Sequence, residues 1–192
     1  MIVQRTSIFP VPRDTVFRKL QRLETLQAIA KPWATFMPVG DVGGVWTVGG
    51  VSSYRFRLFG VIPFGVHTIR IVRFDVDGIG SREGNARVPV WNHDITLIPL
   101  DDAHTRYTDR VEIQAGWKTP FVWLWARGFY AHRQRKWIRL LEAEKSTAAR
   151  LRSYGAAVEL EIGRGLYHAY AALPLVPEAK PAYQRVIQYL KV

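Results

Sequence analysis

The chain has 192 residues, 48% hydrophobic and 22% charged, a balance that excludes a disordered or fibrous chain and allows a self-sufficient core. With no cysteine, disulfides, thiolate metal sites and a cysteine nucleophile are excluded as well. Lys and Arg total 27 against 16 Asp and Glu, a formal net charge of +11. Twenty of those cations are Arg, spread along the whole chain. Such dispersion reads first as composition, and second as a footprint for anionic lipid, nucleic acid or an acidic partner. No apolar run reaches the roughly 18 residues that span a bilayer. The opening MIVQRTSIFPVPRDT lacks the layout of a signal peptide, so a cytoplasmic location is expected.

The first element, IVQRTSIF, alternates as a strand and stops at Pro10 and Pro12. Two short helices follow. Val16, Phe17 and Leu20 form the stripe of the first, Leu23, Leu26, Ile29 and Ala30 that of the second, and Pro32 closes it. From about Thr35 to Gln114 the period becomes two. Strands are expected near Ala34–Val39 and Gly44–Gly49, with a tight connection at Ile62-Pro63-Phe64-Gly65. Tyr54, Phe56 and Leu58 share one face before that turn, and His67, Ile69 and Ile71 share one after it. The stretch from Asp77 to Arg87 reads as a polar loop. Its Gly78-Ile79-Gly80-Ser81-Arg82-Glu83-Gly84 has the look of a dinucleotide fingerprint but opens no helix, and is discarded. Two further strands hold WNHDITLIPL and HTRYTDRVEIQA. In the second, Tyr107, Asp109, Val111 and Ile113 point one way. After Gly116 a helix of about seven turns begins with Thr119 as N-cap and Pro120 at its first position. Its stripe runs through Phe121/Val122, Trp125, Phe129, His132/Arg133, Trp137 and Leu140/Leu141. Beyond Lys145, helices are expected at 148–158, 166–173 and 181–190.

Several patches have a familiar spacing. They are Phe59-Gly60 with Pro63-Phe64-Gly65 and His67-Thr68-Ile69, then Trp91-Asn92-His93, then Tyr107-Thr108-Asp109-Arg110-Val111, and Phe129-Tyr130-Ala131-His132-Arg133 on the long helix. On these, residues 1–144 resemble a bacterial branch of the START-like (SRPBCC) superfamily, which includes the polyketide cyclases. The resemblance implies an α+β helix-grip fold. In it a curved antiparallel sheet of about seven strands wraps a long C-terminal helix; residues 145–192, a helical extension by their own pattern, have no counterpart in the family. It further implies a cavity between sheet and helix that takes a lipid, polyketide or similar hydrophobic molecule. Fold alone supplies no reaction.

With that cavity implied, the inward positions Tyr54, Phe56, Leu58, His67, Ile69, Trp91, His93, Tyr107, Asp109, Trp125 and Phe129 are the candidate ligand contacts. His67, His93 and Asp109 stand on three strands and share the inner face. A carboxylate beside an imidazole fixes its tautomer, so His93 and Asp109 are the candidate proton-transfer pair of a cyclase- or dehydratase-like enzyme. The competing reading is structural: the same residues satisfy one another and hold the strands in register. Gaps of 26 and 16 residues carry no metal motif, so no metal or cofactor is expected. Nor is there a Gly-x-Ser-x-Gly turn for a serine nucleophile. The basic run His132, Arg133, Arg135, Lys136 and Arg139 reads as a solvated face paired with Glu142 and Glu144. Its other use is to meet an anionic headgroup or phosphate at the cavity mouth, and an anionic membrane surface is a further candidate partner. Nucleic acid is disfavoured because rings and charges fall on different sides of the helix. The apolar stripes beyond Lys145 would cap the cavity, cover the sheet or form a homodimer.

Overall fold

The computed structural model describes residues 1–40 and 46–153. Two compact units divide the chain, Met1–Lys145 and Ser146–Val192, and the account below concerns the first. The elements are β1 (Ile2–Phe9), α1 (Arg13–Leu20), α2 (Leu23–Ala30), β2 (Ala34–Pro38), β3 (Val51–Leu58), β4 (Ile62–Asp75), β5 (Gly78–Gly84), β6 (Val90–Asp101), β7 (His104–Gln114) and α3 (Thr119–Ser153). The seven strands form one sheet in the order β1-β7-β6-β5-β4-β3-β2, and every neighbouring pair is antiparallel. This is the α+β helix-grip arrangement. No helix among the described residues is long and apolar enough to cross a membrane. The helices expected at 166–173 and 181–190, and most of that at 148–158, lie outside the described residues.

Local chemistry sets the helix ends. Pro12 caps α1, with Asp14 in the first turn and Arg18 and Lys19 in the last, the polarity that a helix dipole favours. At α3, the Ala115 amide donates to Thr119 Oγ1 and that hydroxyl donates to the Gly116 carbonyl. The sheet's inner face carries the core. Phe9, Leu97 and Tyr107 pack with Trp137 and Leu141 of α3 at one end, where the Phe9 and Tyr107 rings stack 4.5 Å apart. A second cluster joins Val3, Val111 and Ile113 to Ala126, Phe129 and Tyr130.

Three local expectations are corrected. The described part of Gly44–Gly49 is a turn and no strand: the Gly50 amide donates to Thr47 at 2.9 Å, and Gly49 has φ +85°, a left-handed conformation suited to glycine. The β3–β4 connection is Phe59-Gly60-Val61, where φ is +51° and +76° at the first two residues. Phe59 is held there by its amide bond to the Trp33 carbonyl. Pro63 and Gly65 belong to β4, at a bulge opposite Phe56 and Arg57, where a proline costs the ladder no bond.

The third correction is the largest. Gly78–Gly84, expected as loop, is strand β5, paired on both sides. Its glycines serve close approach: a Cβ on Gly78 would lie 1.9 Å from the Ile95 carbonyl oxygen, and one on Gly84 2.4 Å from that of Pro89. Gly78→Ala should therefore cost about 3 kcal/mol or more in urea denaturation, combining a backbone clash with a disfavoured φ. Gly65→Ala meets nothing within 4 Å and should cost only about 1 kcal/mol for its positive φ. Equal costs would refute this account of β5.

Candidate functional site

Between sheet and helix lies a cavity of about 340 Å³, within the range of small-molecule sites. Its wall includes nine of the expected contacts: Tyr54, Phe56 and Leu58 of β3, His67 and Ile69 of β4, Trp91 and His93 of β6, and Trp125 and Phe129 of α3. Tyr107 and Asp109 are not on the wall. Both are buried behind it, at 0% and 1% exposure, so the expectation that they touch a ligand is corrected. Rings dominate the helix side. Trp125 stacks on Phe129 with centroids 5.0 Å apart and interplanar angle 10°, and Trp91 lies against both Trp125 and Tyr130. Phe121 also lines the cavity while 69% exposed, one turn from Trp117 at 79% and Leu124 at 64%. These residues form an exposed apolar patch at the start of α3 and just before it, with Lys118 over Trp117 and Arg127 over Trp123.

The polar groups form two connected pairs. His67, His93 and Asp109 share the inner face, but His67 is bonded elsewhere: its Nε2 lies 2.9 Å from Glu83 Oε2. Asn85 Oδ1 accepts from the Arg87 and Val88 amides, which leaves its NH2 facing His67 Nδ1 at 3.2 Å. That nitrogen must accept, so Nε2 carries the proton and donates to Glu83. Ser81 Oγ donates to the same carboxylate. The second pair is His93 Nε2 on Asp109 Oδ1 at 2.8 Å. Asp109 further accepts from the Tyr107 hydroxyl on Oδ1 and from Gln134 Nε2 on Oδ2, each at 2.9 Å. Glu83 Oε1 stands 4.0 Å from His93 Nδ1 and so links the pairs.

Glu83, Ser81, Asn85 and Gln134 are the site residues that the sequence reading missed. The available signal was the alternation Ile79, Ser81, Glu83, hidden by reading the glycines as breakers. Arg133 departs from the solvated face expected of its run: it is 9% exposed and lines the cavity. His132 and Lys136 donate instead to the Lys31 and Ala28 carbonyls at the end of α2. Of the two acids expected to pair with that run, Glu144 bonds Lys19 of α1 at 2.7 Å.

Burial acts to raise the pKa of Asp109. The Arg133 charge, the bond and charge of His93 and the Gln134 bond outweigh it, so the carboxyl sits below its ordinary value. Glu83 follows the same logic: burial is outweighed chiefly by the bond from His67, with Ser81 adding to it. Burial, then the Asp109 charge, pushes the Tyr107 phenol well up.

A seven-stranded antiparallel sheet closed on one long helix, with a lined hollow between them, defines a class: the START-like helix-grip fold. Solved structures agree. Protein CV1439 from Chromobacterium violaceum superposes with a TM-score of 0.57 at 14% identity, over 73% of this chain and 96% of that one. Norcoclaurine synthase from Thalictrum flavum, a point mutant in complex with a transition-state analogue, gives 0.56 at 10% identity, over 76% and 96%. A START superfamily protein from Mycobacterium smegmatis gives 0.53 at 12% identity, over 74% and 97%. At these identities the likeness concerns the fold. The chain belongs to the family described as Domain of unknown function (DUF8410), whose model matches residues 7–141. No curated protein matches it.

A depressed carboxylate contributes stability above its unfolded pKa and loses it as pH falls through the lower folded value. Asp109→Asn should therefore cost about 3 kcal/mol at pH 7, where it leaves the buried Arg133 without its counter-charge. The gap between variant and parent in urea midpoint should narrow at pH 3. A gap independent of pH would show that Asp109 is uncharged in the folded protein.

Proposed function

We propose that this protein binds or carries a hydrophobic small molecule, lipid-, polyketide- or aromatic-like, in the sheet–helix cavity. The observation that carries the proposal is the hollow itself: about 340 Å³ walled by Trp91, Trp125, Phe129, Phe56 and Phe64, in a fold otherwise packed solid at the Tyr107–Trp137 end. Flat rings on the wall favour a flat or acyl guest. Native mass spectrometry should find a ligand on the isolated protein, or one equivalent of added acetylnaphthalene retained. Ile69→Trp, which fills the cavity, should weaken that binding about tenfold or more with little change in melting temperature. An unmodified protein that takes up neither would refute the proposal.

A specific observation favours a second reading, an enzyme. His93 is oriented by Asp109 through Nε2, while among the described residues its Nδ1 makes no hydrogen bond and stands 4.0 Å from Glu83 Oε1. That is the arrangement of an imidazole able to take a proton from a bound carbonyl compound. On this reading the protein accelerates deuterium exchange beside the carbonyl of acetylnaphthalene, and His93→Ala abolishes the acceleration. Exchange no faster than in buffer would rule out proton transfer for this ketone and leave carriage. The exposed apolar patch of Trp117, Phe121 and Leu124 with Lys118 and Arg127 supports an anionic membrane as the place of loading.

A further inference from the structure

The cavity wall contains a buried cation that the protein itself does not answer. Arg133 is 91% buried (9% exposed) and lines the hollow, yet its Nε has no hydrogen-bond partner. Among the described residues its guanidinium makes no hydrogen bond or ion pair; its close neighbour is the Tyr130 ring, 5.6 Å away. A guanidinium offers five N–H donors and no acceptor, and buried donors are ordinarily satisfied. The two nearby carboxylates do not fill that role. Asp109 is committed to His93, Tyr107 and Gln134, and Glu83 to His67 and Ser81. Their charges hold Arg133 ionised from a distance, without contact. The unfilled partner is thus an acceptor that enters from the cavity.

Charge decides which acceptor. His67 is held as a neutral Nε2–H tautomer by Asn85, so it adds no cation. Two carboxylates, one on the wall and one directly behind it, then face one permanent cation, the Arg133 guanidinium, with His93 charged only when protonated. An anionic guest would add a third negative charge to a low-dielectric interior, whereas a carbonyl dipole accepts from Arg133 at no such penalty. We propose that Arg133 is the polar anchor of the cavity and that its ligand carries an uncharged acceptor oxygen, a ketone or ester carbonyl, on a hydrophobic body. This rests on the reading of the cavity as a binding site and adds the chemistry of the guest.

The test uses three probes with one bicyclic body: acetylnaphthalene, ethylnaphthalene and naphthoate, titrated into the full chain at pH 8 by tryptophan quenching. The unmodified protein should bind the ketone roughly tenfold or more tighter than the hydrocarbon, the range of a hydrogen bond to a charged group. Naphthoate should bind more weakly than the ketone. Arg133→Met keeps the length and removes the donors, so it should erase the ketone's advantage and leave ethylnaphthalene bound as before. Arg133→Lys keeps charge without the planar fork and should retain only part of the advantage; it serves if the Met variant does not fold. Equal affinity for ketone and hydrocarbon, or an advantage that survives Arg133→Met, overturns the anchor while leaving the cavity reading intact. Tightest binding of naphthoate overturns the uncharged head. Uptake of none of the three overturns the cavity reading, and the anchor with it.

Discussion

A carboxylate placed on the inner face of a sheet and sealed by a helix has to be answered by donors, and Asp109 is answered from three elements at once. His93 comes from β6, Tyr107 from β7 itself and Gln134 from α3. Gln134 passes the constraint on: its Nε2 also donates to the Arg5 carbonyl and its Oε1 accepts from Ser7 Oγ. One buried charge therefore fixes how α3 lies over β1, β6 and β7. Partly satisfied, such a network would be worse than an apolar core; fully satisfied, it favours one docking geometry over its neighbours.

That docking divides the concave face. At one end Phe9, Tyr107, Leu97, Trp137 and Leu141 pack together as a buried cluster. Toward β3 and β4 the sheet curves away, aided by the bulges opposite Phe56 and Arg57 and near Ile71, and bulges increase local bend. The rings of Trp91, Trp125 and Phe129 then face Phe56 and Phe64 across a gap instead of filling it. The hollow follows from where the helix is pinned and how the strands bend, more than from a shortage of large side chains.

Polar groups around the gap are unequal. Glu83, His67, Ser81 and Asn85 close their own circuit on β4, β5 and the turn after it. Arg133 closes none. A protein that orients a guest needs few polar contacts, provided they are unspent, and an arginine held ionised by carboxylates it does not touch meets that condition.

Much of this was readable in the chain. Strict alternation in Tyr107–Ile113 places Asp109 and Tyr107 inward whatever their partners, because a strand's side chains have period two. The stripe from Val122 to Leu141 likewise makes α3 a core helix by its 3.6 period. Those regularities, with the patch spacing, determined the fold class and nine cavity-wall residues. Periodicity says which face, never which partner. That His67 meets Glu83 rather than Asp109 and that Gly78–Gly84 is a strand were decided by register and by close approach between strands distant in sequence; the stripe left His132 and Arg133 as alternatives, and packing on α2 and the sheet turned Arg133 inward. Glycine looks the same whether it breaks a chain or makes room for a neighbour's backbone, and only the packed sheet tells the two apart.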